Sequence, residues 1–440
     1  MTKATGIAVA SLAAALLGIA TPAHAQNRDS LEIAKLKAQV TAIARELEEM
    51  QLGSEIVAVA DTSAHGFGPA ASKVYKVRQG VSIGGYGELL YENFATDLEN
   101  GTPAGKTDKL DALRAIIYVG YKFNDRILFN SEIEVEHASS EQAGAVSLEF
   151  AYLDYRFTDR FGLRAGLLLS PMGFLNELHE PPTFLGTKRP ETEQKIIPST
   201  WREAGVGLFG EVGRLSFRGY LMNGFDAIGG GTSKAEGFSA ASGLRGGRQN
   251  GSKTVAENFA VVGRVDYAVL PGLSVGTSAY YGKAGQNAPV TADPTRSIDA
   301  GTFIWDGHVQ YKARGWDLRG LIAVATVDDA AEINAARSFT GAESVGERLV
   351  GGYVQVGYDV LWSLRTQHQV IPYIRYEQLN TQDDVPSGFA ADPANDLELI
   401  TLGTAWKPIG NVVFKADYQI RNNEASTGLN QFNLAVGYLF

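Results

Sequence analysis

Residues 127–137 read ILFNSEIEVEH, and apolar and polar side chains alternate along this stretch. The apolar row is Ile127, Phe129, Ile133 and Val135, and the polar row is Asn130, Glu132, Glu134 and Glu136. A period of two residues is typical of a β-strand whose two faces meet different surroundings. Because neighbouring carboxylates are costly to bury without partners, we expect the polar row to face water.

The same alternation recurs along residues 80–440 in sixteen segments that are separated by turn residues. The predicted strands are 81–94, 113–123, 127–137, 146–157, 161–169, 201–211, 215–222, 259–269, 273–282, 302–312, 316–327, 349–360, 370–379, 397–406, 412–421 and 429–440. Their connections alternate between short turns, such as residues 124–125, and long loops, such as residues 170–200. This pattern predicts an all-β fold, a sixteen-stranded antiparallel transmembrane β-barrel. A soluble β-sandwich or β-helix is the alternative.

The beginning of the chain has the features of an export signal. Lys3 is followed by an apolar run over residues 7–20 and by the triplet Ala23-His24-Ala25. We therefore predict a secretory signal peptide at residues 1–25, with a retained membrane anchor as the alternative. The run is too short to span a bilayer, so an exported, membrane-embedded form of this chain would have to be a barrel. The predicted location is the outer membrane of a Gram-negative cell.

Residues 26–52 carry a second, helical pattern. Apolar side chains spaced by three and four residues form one seam: Ile33, Leu36, Val40, Ile43, Leu47 and Met50. This spacing predicts a short periplasmic coiled coil that joins subunits, and an amphipathic helix lying on its own protein is the alternative. Residues 53–79 show no sustained periodicity, and we interpret them as a linker between the coiled coil and the barrel at residues 80–440.

The composition narrows the possible functions. The chain has 440 residues and no cysteine, which excludes disulfides, thiol catalysis and thiolate metal sites. Its formal net charge is -10, and this acidic balance argues against a nucleic-acid partner. The 50 glycines fit the close curvature of a barrel wall. We expect no metal and no cofactor.

A sixteen-stranded barrel encloses water, so its inward positions can carry charge. On the predicted inner face, the candidate pore-wall residues are Arg114, Glu132, Glu134, Arg164, Arg218, Arg319, Arg375 and Lys415. The long loop at residues 170–200 is rich in proline and in charge but also has apolar anchors such as Phe174 and Ile196. We predict that it folds into the pore, and an external loop bound to a neighbouring subunit is the alternative. Its candidate constriction residues are Glu177, His179, Glu180, Lys188, Arg189 and Glu191.

Two stretches of this loop resemble a known family. NELHEPPTF at residues 176–184 and IIPSTWRE at residues 196–203 are similar to the phosphate-selective porin O and P family. The opening strand SIGGYGELLYENF and the last strand, which ends in Phe440, add to the resemblance. It implies a sixteen-stranded barrel, a trimer and passive diffusion of small solutes. Members of that family owe their anion preference to basic residues lining the pore, whereas here acidic residues alternate with basic ones, so phosphate selectivity is not carried over.

The leading functional hypothesis is therefore an outer-membrane porin for small hydrophilic solutes or ions, with anionic solutes as one candidate class. The expected partners are outer-membrane lipid, the permeating solutes and two further copies of the chain in a homotrimer. We do not expect an enzyme, because no nucleophile elbow or Ser–His grouping stands out. A structural tether or adhesin is the alternative, and a barrel enzyme ranks below it.

Overall fold

A computed structural model describes Lys35, residues 37–41, residues 63–139 and residues 144–440. The chain divides into two compact units, Met1–Glu55 and Ile56–Phe440. In the first unit, Lys35 and residues 37–41 are helical. The predicted signal peptide and most of the predicted coiled coil lie outside the described residues, and the coiled coil stays a prediction.

The described part of the second unit forms a closed barrel of sixteen antiparallel strands, which confirms the predicted strand count. The barrel strands are β1 (Gly80–Phe94), β2 (Lys109–Lys122), β3 (Ile127–Glu136), β4 (Val146–Arg156), β5 (Phe161–Leu169), β6 (Arg202–Val212), β7 (Leu215–Asn223), β8 (Phe259–Leu270), β9 (Leu273–Lys283), β12 (Gly301–Ala313), β13 (Trp316–Val327), β14 (Arg348–Tyr358), β15 (Gln369–Asp384), β16 (Asp396–Ile409), β17 (Val412–Asn423) and β18 (Gln431–Leu439). Strands β10 (Pro289–Val290) and β11 (Asp293–Ser297) form a separate hairpin in the loop after β9.

Short helices occupy the connections. The α-helices are Lys73–Lys76, Thr192–Lys195 and Ala330–Arg337, and the 3₁₀-helices are Pro181–Thr183, Arg245–Gly247, Gly341–Glu343, Trp362–Leu364 and Pro393–Asn395. In the described ranges, no helix combines the length and the apolar character needed to cross a bilayer.

The predicted alternation separates an outer and an inner face. On β3, Glu132 is 0% exposed and Glu134 is 2% exposed, whereas Ile133 between them is 37% exposed. Apolar side chains with large exposed fractions recur at the outward positions of the other strands, as expected for a wall that meets lipid. Tyr280 of β9 points inward, where its ring packs edge-on against Trp201.

The barrel closes where the last strand meets the first. Antiparallel pairing of β18 with β1 runs from Leu439 opposite Tyr86 to Gln431 opposite Phe94. Beyond it, the N–H of Phe440 donates to the carbonyl of Gly85 (2.9 Å), and the N–H of Gly85 donates back to the carbonyl of Phe440 (3.0 Å). The aromatic ring of Phe440 covers the bare backbone of Gly85, because a Cβ there would lie 2.7 Å from Cζ of that ring.

This packing predicts that Gly85→Val destabilises the barrel by about 1–3 kcal/mol, the usual cost of overpacking a filled site. The new Cβ would meet the Phe440 ring and the carbonyl of Ile116. The matched control is Gly219→Val on β7, which also faces outward and whose Cβ would have no atom within 4 Å. Urea unfolding in detergent, followed by the gel mobility of unheated samples, measures both. Equal stability of the two variants would show that the ring does not fill this site.

Candidate functional site

The loop at residues 170–200 lies inside the barrel rather than outside it. It leaves β5, crosses the lumen and returns to β6, and most of its residues are buried. On the far wall, Asp417 of β17 accepts hydrogen bonds from the N–H of Thr187 (2.7 Å) and from its hydroxyl (2.9 Å). Glu377 of β15 accepts from the N–H of Thr192 (2.6 Å). The inward fold predicted for this loop is therefore present.

Basic wall residues hold the same loop through its carbonyl groups. Arg319 donates to the carbonyl of Thr183 (2.6 Å), and Lys415 donates to that of Gly186 (2.8 Å). Arg375 reaches the carbonyl of Lys188 at 3.5 Å. These three predicted pore-wall residues are thus nearly buried anchors of the loop, with exposed fractions of 7%, 3% and 3%.

Three of the predicted constriction residues are buried and paired. Glu177 lies 3.2 Å from Nε of Arg218, another predicted wall residue. His179 lies 3.1 Å from the carboxylate of Glu132 on β3. Glu180 accepts hydrogen bonds from the N–H groups of residues 70 and 71. Burial raises the pKa of Glu180 to about 7, although the two N–H donors oppose the shift.

The other three constriction residues are half-buried and differ in their partners. Lys188 donates to Glu92 of β1 (2.7 Å), and Glu191 accepts from Arg421 of β17 (2.8 Å). Burial alone would raise the pKa of Glu191, but Arg421 and Lys195 lower it to about 2. In the part of the chain that the structure describes, the guanidinium of Arg189 has no hydrogen-bond or ion-pair partner.

Arg189 belongs to a group of arginines that the sequence did not bring together. Burial and the nearby charge of Arg114 lower the pKa of Arg189. In the loop before β8, burial and the charge of Arg189 lower the pKa of Arg245 to about 10, and burial and Arg245 lower that of Arg248 to about 9. Arg114 itself is held loosely, at 3.5 Å from Glu88 and 3.7 Å from Glu134. We call Arg114, Arg189, Arg245 and Arg248 the arginine group.

Residues 63–79 also lie in the lumen, on the short-turn side of the loop. The predicted linker is described from Ser63 onward, and Phe67, Ala70, Ala71 and Val74 are at most 3% exposed there. Arg164, predicted to line the pore, is 1% exposed because this segment covers it. Its guanidinium lies 4.6 Å from the ring centre of Phe67 and 4.4 Å from that of Tyr152 on β4. We call residues 63–79 the luminal segment.

A cavity of about 250 Å³ separates the luminal segment from the loop and the wall. Its lining includes the titratable residues His65, Glu177, Glu211, Arg218, Arg264 and Asp266. Burial, together with Arg164, Arg156 and Arg218, lowers the pKa of His65 to about 4, so the ring is neutral at pH 7. The charge of the lumen lining therefore differs between two regions. Acidic and basic side chains both line the cavity beside the luminal segment, whereas the arginine group contains basic side chains alone.

Comparison with known proteins gives a family but no assigned activity. No protein-family model matches the chain. It is 37% identical over 383 residues to an uncharacterized protein of Aquifex aeolicus (strain VF5), a match that covers 85% of this chain and 83% of that protein. The chain therefore belongs to the same family as that protein.

Solved structures show the same fold at low identity. Salmonella typhi OmpF in complex with daunomycin has a TM-score of 0.53 and 14% identity, and the match covers 82% of this chain and 98% of that one. A loop L8 deletion mutant of OmpT, an outer membrane protein of Vibrio cholerae, has a TM-score of 0.50 and 12% identity. The match covers 82% of this chain and 100% of that one. At these identities the similarity establishes the fold of outer-membrane porins alone. Membership in the phosphate-selective porin family stays a prediction.

The pKa values of Glu180 and His65 predict how pH acts on the folded protein. The pKa of Glu180 is raised from 4.5 to about 7 in the folded state, so protonation of Glu180 favours folding. The pKa of His65 is lowered from 6.5 to about 4, so protonation of His65 favours unfolding. The two effects oppose each other at mildly acidic pH.

Substitutions that remove one group at a time separate the two effects. Relative to the wild type, the free energy of unfolding of Glu180→Gln should rise by about 3 kcal/mol as the pH increases from 4.5 to 7, because the variant lacks a carboxyl group that resists ionisation in the folded state. Relative to the wild type, that of His65→Gln should rise as the pH drops from 6.5 to 4, because the variant lacks a ring that resists protonation. Urea unfolding in detergent at each pH measures both differences. Differences that change in the same direction with pH would contradict this assignment.

Proposed function

We propose that this member of the Aquifex protein's family is an outer-membrane channel through which small hydrophilic solutes diffuse passively. One observation carries the proposal: a closed sixteen-stranded barrel has an apolar outer face and a charged inner face crossed by a loop. Unpaired backbone groups cannot exist in lipid, so such a barrel is suited to a membrane, and its charged interior is suited to water. No energy source is needed for this transport.

The arginine group supports a preference for anions. Besides burial, the charge of Arg114 lowers the pKa of Arg189, and both charges lower that of Arg245, so these guanidinium groups lie close enough to share a region of positive potential. Such a region concentrates anions in a narrow, low-dielectric passage. Arg189 is the member best placed to contact a solute, because its donors are not engaged by the described residues. We propose small anions in general rather than phosphate, since Glu88 and Glu134 lie beside Arg114.

A barrel enzyme finds less support in the same interior. Ser278, Asp306 and His308 lie together on the inner wall, but the hydroxyl of Ser278 donates to Asp306 and not to the imidazole. Both ring nitrogens of His308 contact carboxylates, Nδ1 with Asp306 (2.7 Å) and Nε2 with Asp266 (2.9 Å). No nitrogen of this ring is left to act as a base for the serine, as nucleophilic catalysis would require.

The outer face sets the expected surroundings. Exposed aliphatic and aromatic side chains on β-strand after β-strand favour contact with lipid, and part of this wall would be covered in a homotrimer. Both belong to the proposal, together with export by the predicted signal peptide. A tether or adhesin role would use the coiled-coil region and is compatible with a channel.

Purified protein in planar lipid bilayers should give stepwise conductance, and the reversal potential in a KCl gradient should have the sign of an anion-preferring pore. This follows from the positive potential of the arginine group. A correctly folded barrel that never conducts, even without residues 63–79, would overturn the channel. A reversal potential of the opposite sign would overturn only the anion preference.

Two neighbouring cations in the loop provide a matched pair of variants. Arg189→Gln should reduce the anion-to-cation permeability ratio by several-fold, because it removes a positive charge that no described residue pairs with. Lys188→Gln removes the same formal charge, but Lys188 is neutralised by Glu92 at 2.7 Å, so the ratio should change little. Equal effects in the two variants would show that net charge, and not the unpaired guanidinium, sets the selectivity.

A further inference from the structure

The luminal segment occupies the half of the lumen near the short turns. Its contacts on the wall, Lys122, Asp154, Arg164 and Phe209, all lie within a few residues of a short turn. The wall has a complementary position for this segment at Gly120 of β2, where Val74 packs. A Cβ at residue 120 would lie 2.7 Å from the Cβ of Val74, so a larger residue would not fit. The inner wall is therefore shaped around this segment.

We propose that residues 63–79 are a displaceable plug that obstructs the short-turn half of the lumen, and that the channel conducts when the plug has left the wall. The inference rests on the proposed channel function and adds to it a closed state. Two parts of the molecule then have separate roles: the arginine group sets selectivity, whereas the plug sets access.

Non-covalent contacts hold the plug at its two faces. Toward the loop, Glu180 accepts from the N–H groups of Ala70 (3.0 Å) and Ala71 (3.0 Å). Toward the wall, the hydroxyl of Tyr75 donates to Asp154 (2.7 Å) and accepts from Arg164 (2.8 Å). These bonds are exchangeable with water, as reversible docking requires.

Three further contacts fix the position of the plug. Nδ2 of Asn130 donates to the carbonyl of Ala71 (2.9 Å), and Nζ of Lys122 donates to that of Val77 (3.0 Å). The ring of Phe67 stacks on Tyr152, with centroids 5.4 Å apart and planes at 18°. The rings of Phe150 and Phe209 also contact the plug, with centroids 5.2 Å from Phe67 and 5.0 Å from His65. The wall under the plug therefore combines aromatic rings with polar groups, and a water-filled lumen can solvate the polar groups.

Departure of the plug would not leave the buried charge of Arg164 isolated. Arg164 keeps its two bonds to Asp154 (2.8 and 3.0 Å) and its bond to Tyr220 (3.1 Å), so the pair stays neutral and hydrogen-bonded. A hinge is available where the plug joins β1: Gly80 has a φ of +96°, and a Cβ there would meet nothing within 4 Å. As a glycine, this residue can adopt a wider range of backbone angles than other residue types.

The absence of cysteine from the chain allows a direct test with one engineered disulfide. Val74→Cys with Gly120→Cys joins the plug to the wall, and the two Cβ positions need to separate by about 1 Å to reach disulfide geometry. The oxidised double variant should lose conductance in planar bilayers, and reduction by dithiothreitol should restore it. The two single variants serve as controls and should conduct equally under both conditions.

Each outcome decides the question. Equal conductance of oxidised and reduced double variant, with the disulfide confirmed by mass spectrometry, would overturn the plug while leaving the channel intact. If the full-length chain is silent but a folded variant lacking residues 63–79 conducts, both the plug and the channel are supported. If that shortened barrel is silent as well, the proposed channel is wrong, and the plug inference fails with it.

Discussion

The structure depends on one constraint: backbone N–H and C=O groups that face lipid have no water to bond with, so every strand must have two neighbours. The chain meets it by pairing β18 with β1, and Phe440 completes that seam by exchanging two backbone bonds with Gly85. Once the sheet is closed, outward positions must be apolar and inward positions are free to be polar. The alternation on β3, with Glu132 buried and Ile133 exposed, is a direct consequence.

The inward charges then face a second constraint, since a filled lumen removes much of their water. On β13, β15 and β17 the chain satisfies them with backbone groups of the loop. Asp417 takes an N–H from the loop, and Lys415 and Arg319 donate to its carbonyls. A loop without regular structure has many backbone N–H and C=O groups that lack partners within the loop. Acidic wall side chains can accept from these N–H groups, and basic wall side chains can donate to these C=O groups. The wall charges thus determine where the loop lies, and only charges left over from this pairing are available to a solute.

Much of this could be predicted from the sequence, and the reason lies in periodicity. Alternation gave the sixteen strands and placed Glu132, Glu134 and Arg218 on the inner face. It could not tell a residue that lines water from one that anchors a loop, because Arg189 and Lys188 look alike until their partners are seen. It also missed the luminal segment, since Phe67 and Val74 have no period and find their partners more than 40 residues away along the chain, on β2 and β4. A sign of close packing was present in the sequence, because small residues at 70–72 lie between these two apolar side chains.

The pairing rule explains why selectivity and access can be separated in this lumen. Arg164 is buried beneath the luminal segment and is satisfied by Asp154 and Tyr220, so covering it or uncovering it changes little charge. Arg189 has no hydrogen-bond or ion-pair partner among the described residues and lies on the loop. The anchors of this loop to β14 and β15 do not involve the segment. A change in the position of the segment therefore leaves the loop anchored at those strands. The electrostatic element can stay fixed while the steric element moves, and a channel built in this way can close without losing its preference for one sign of charge.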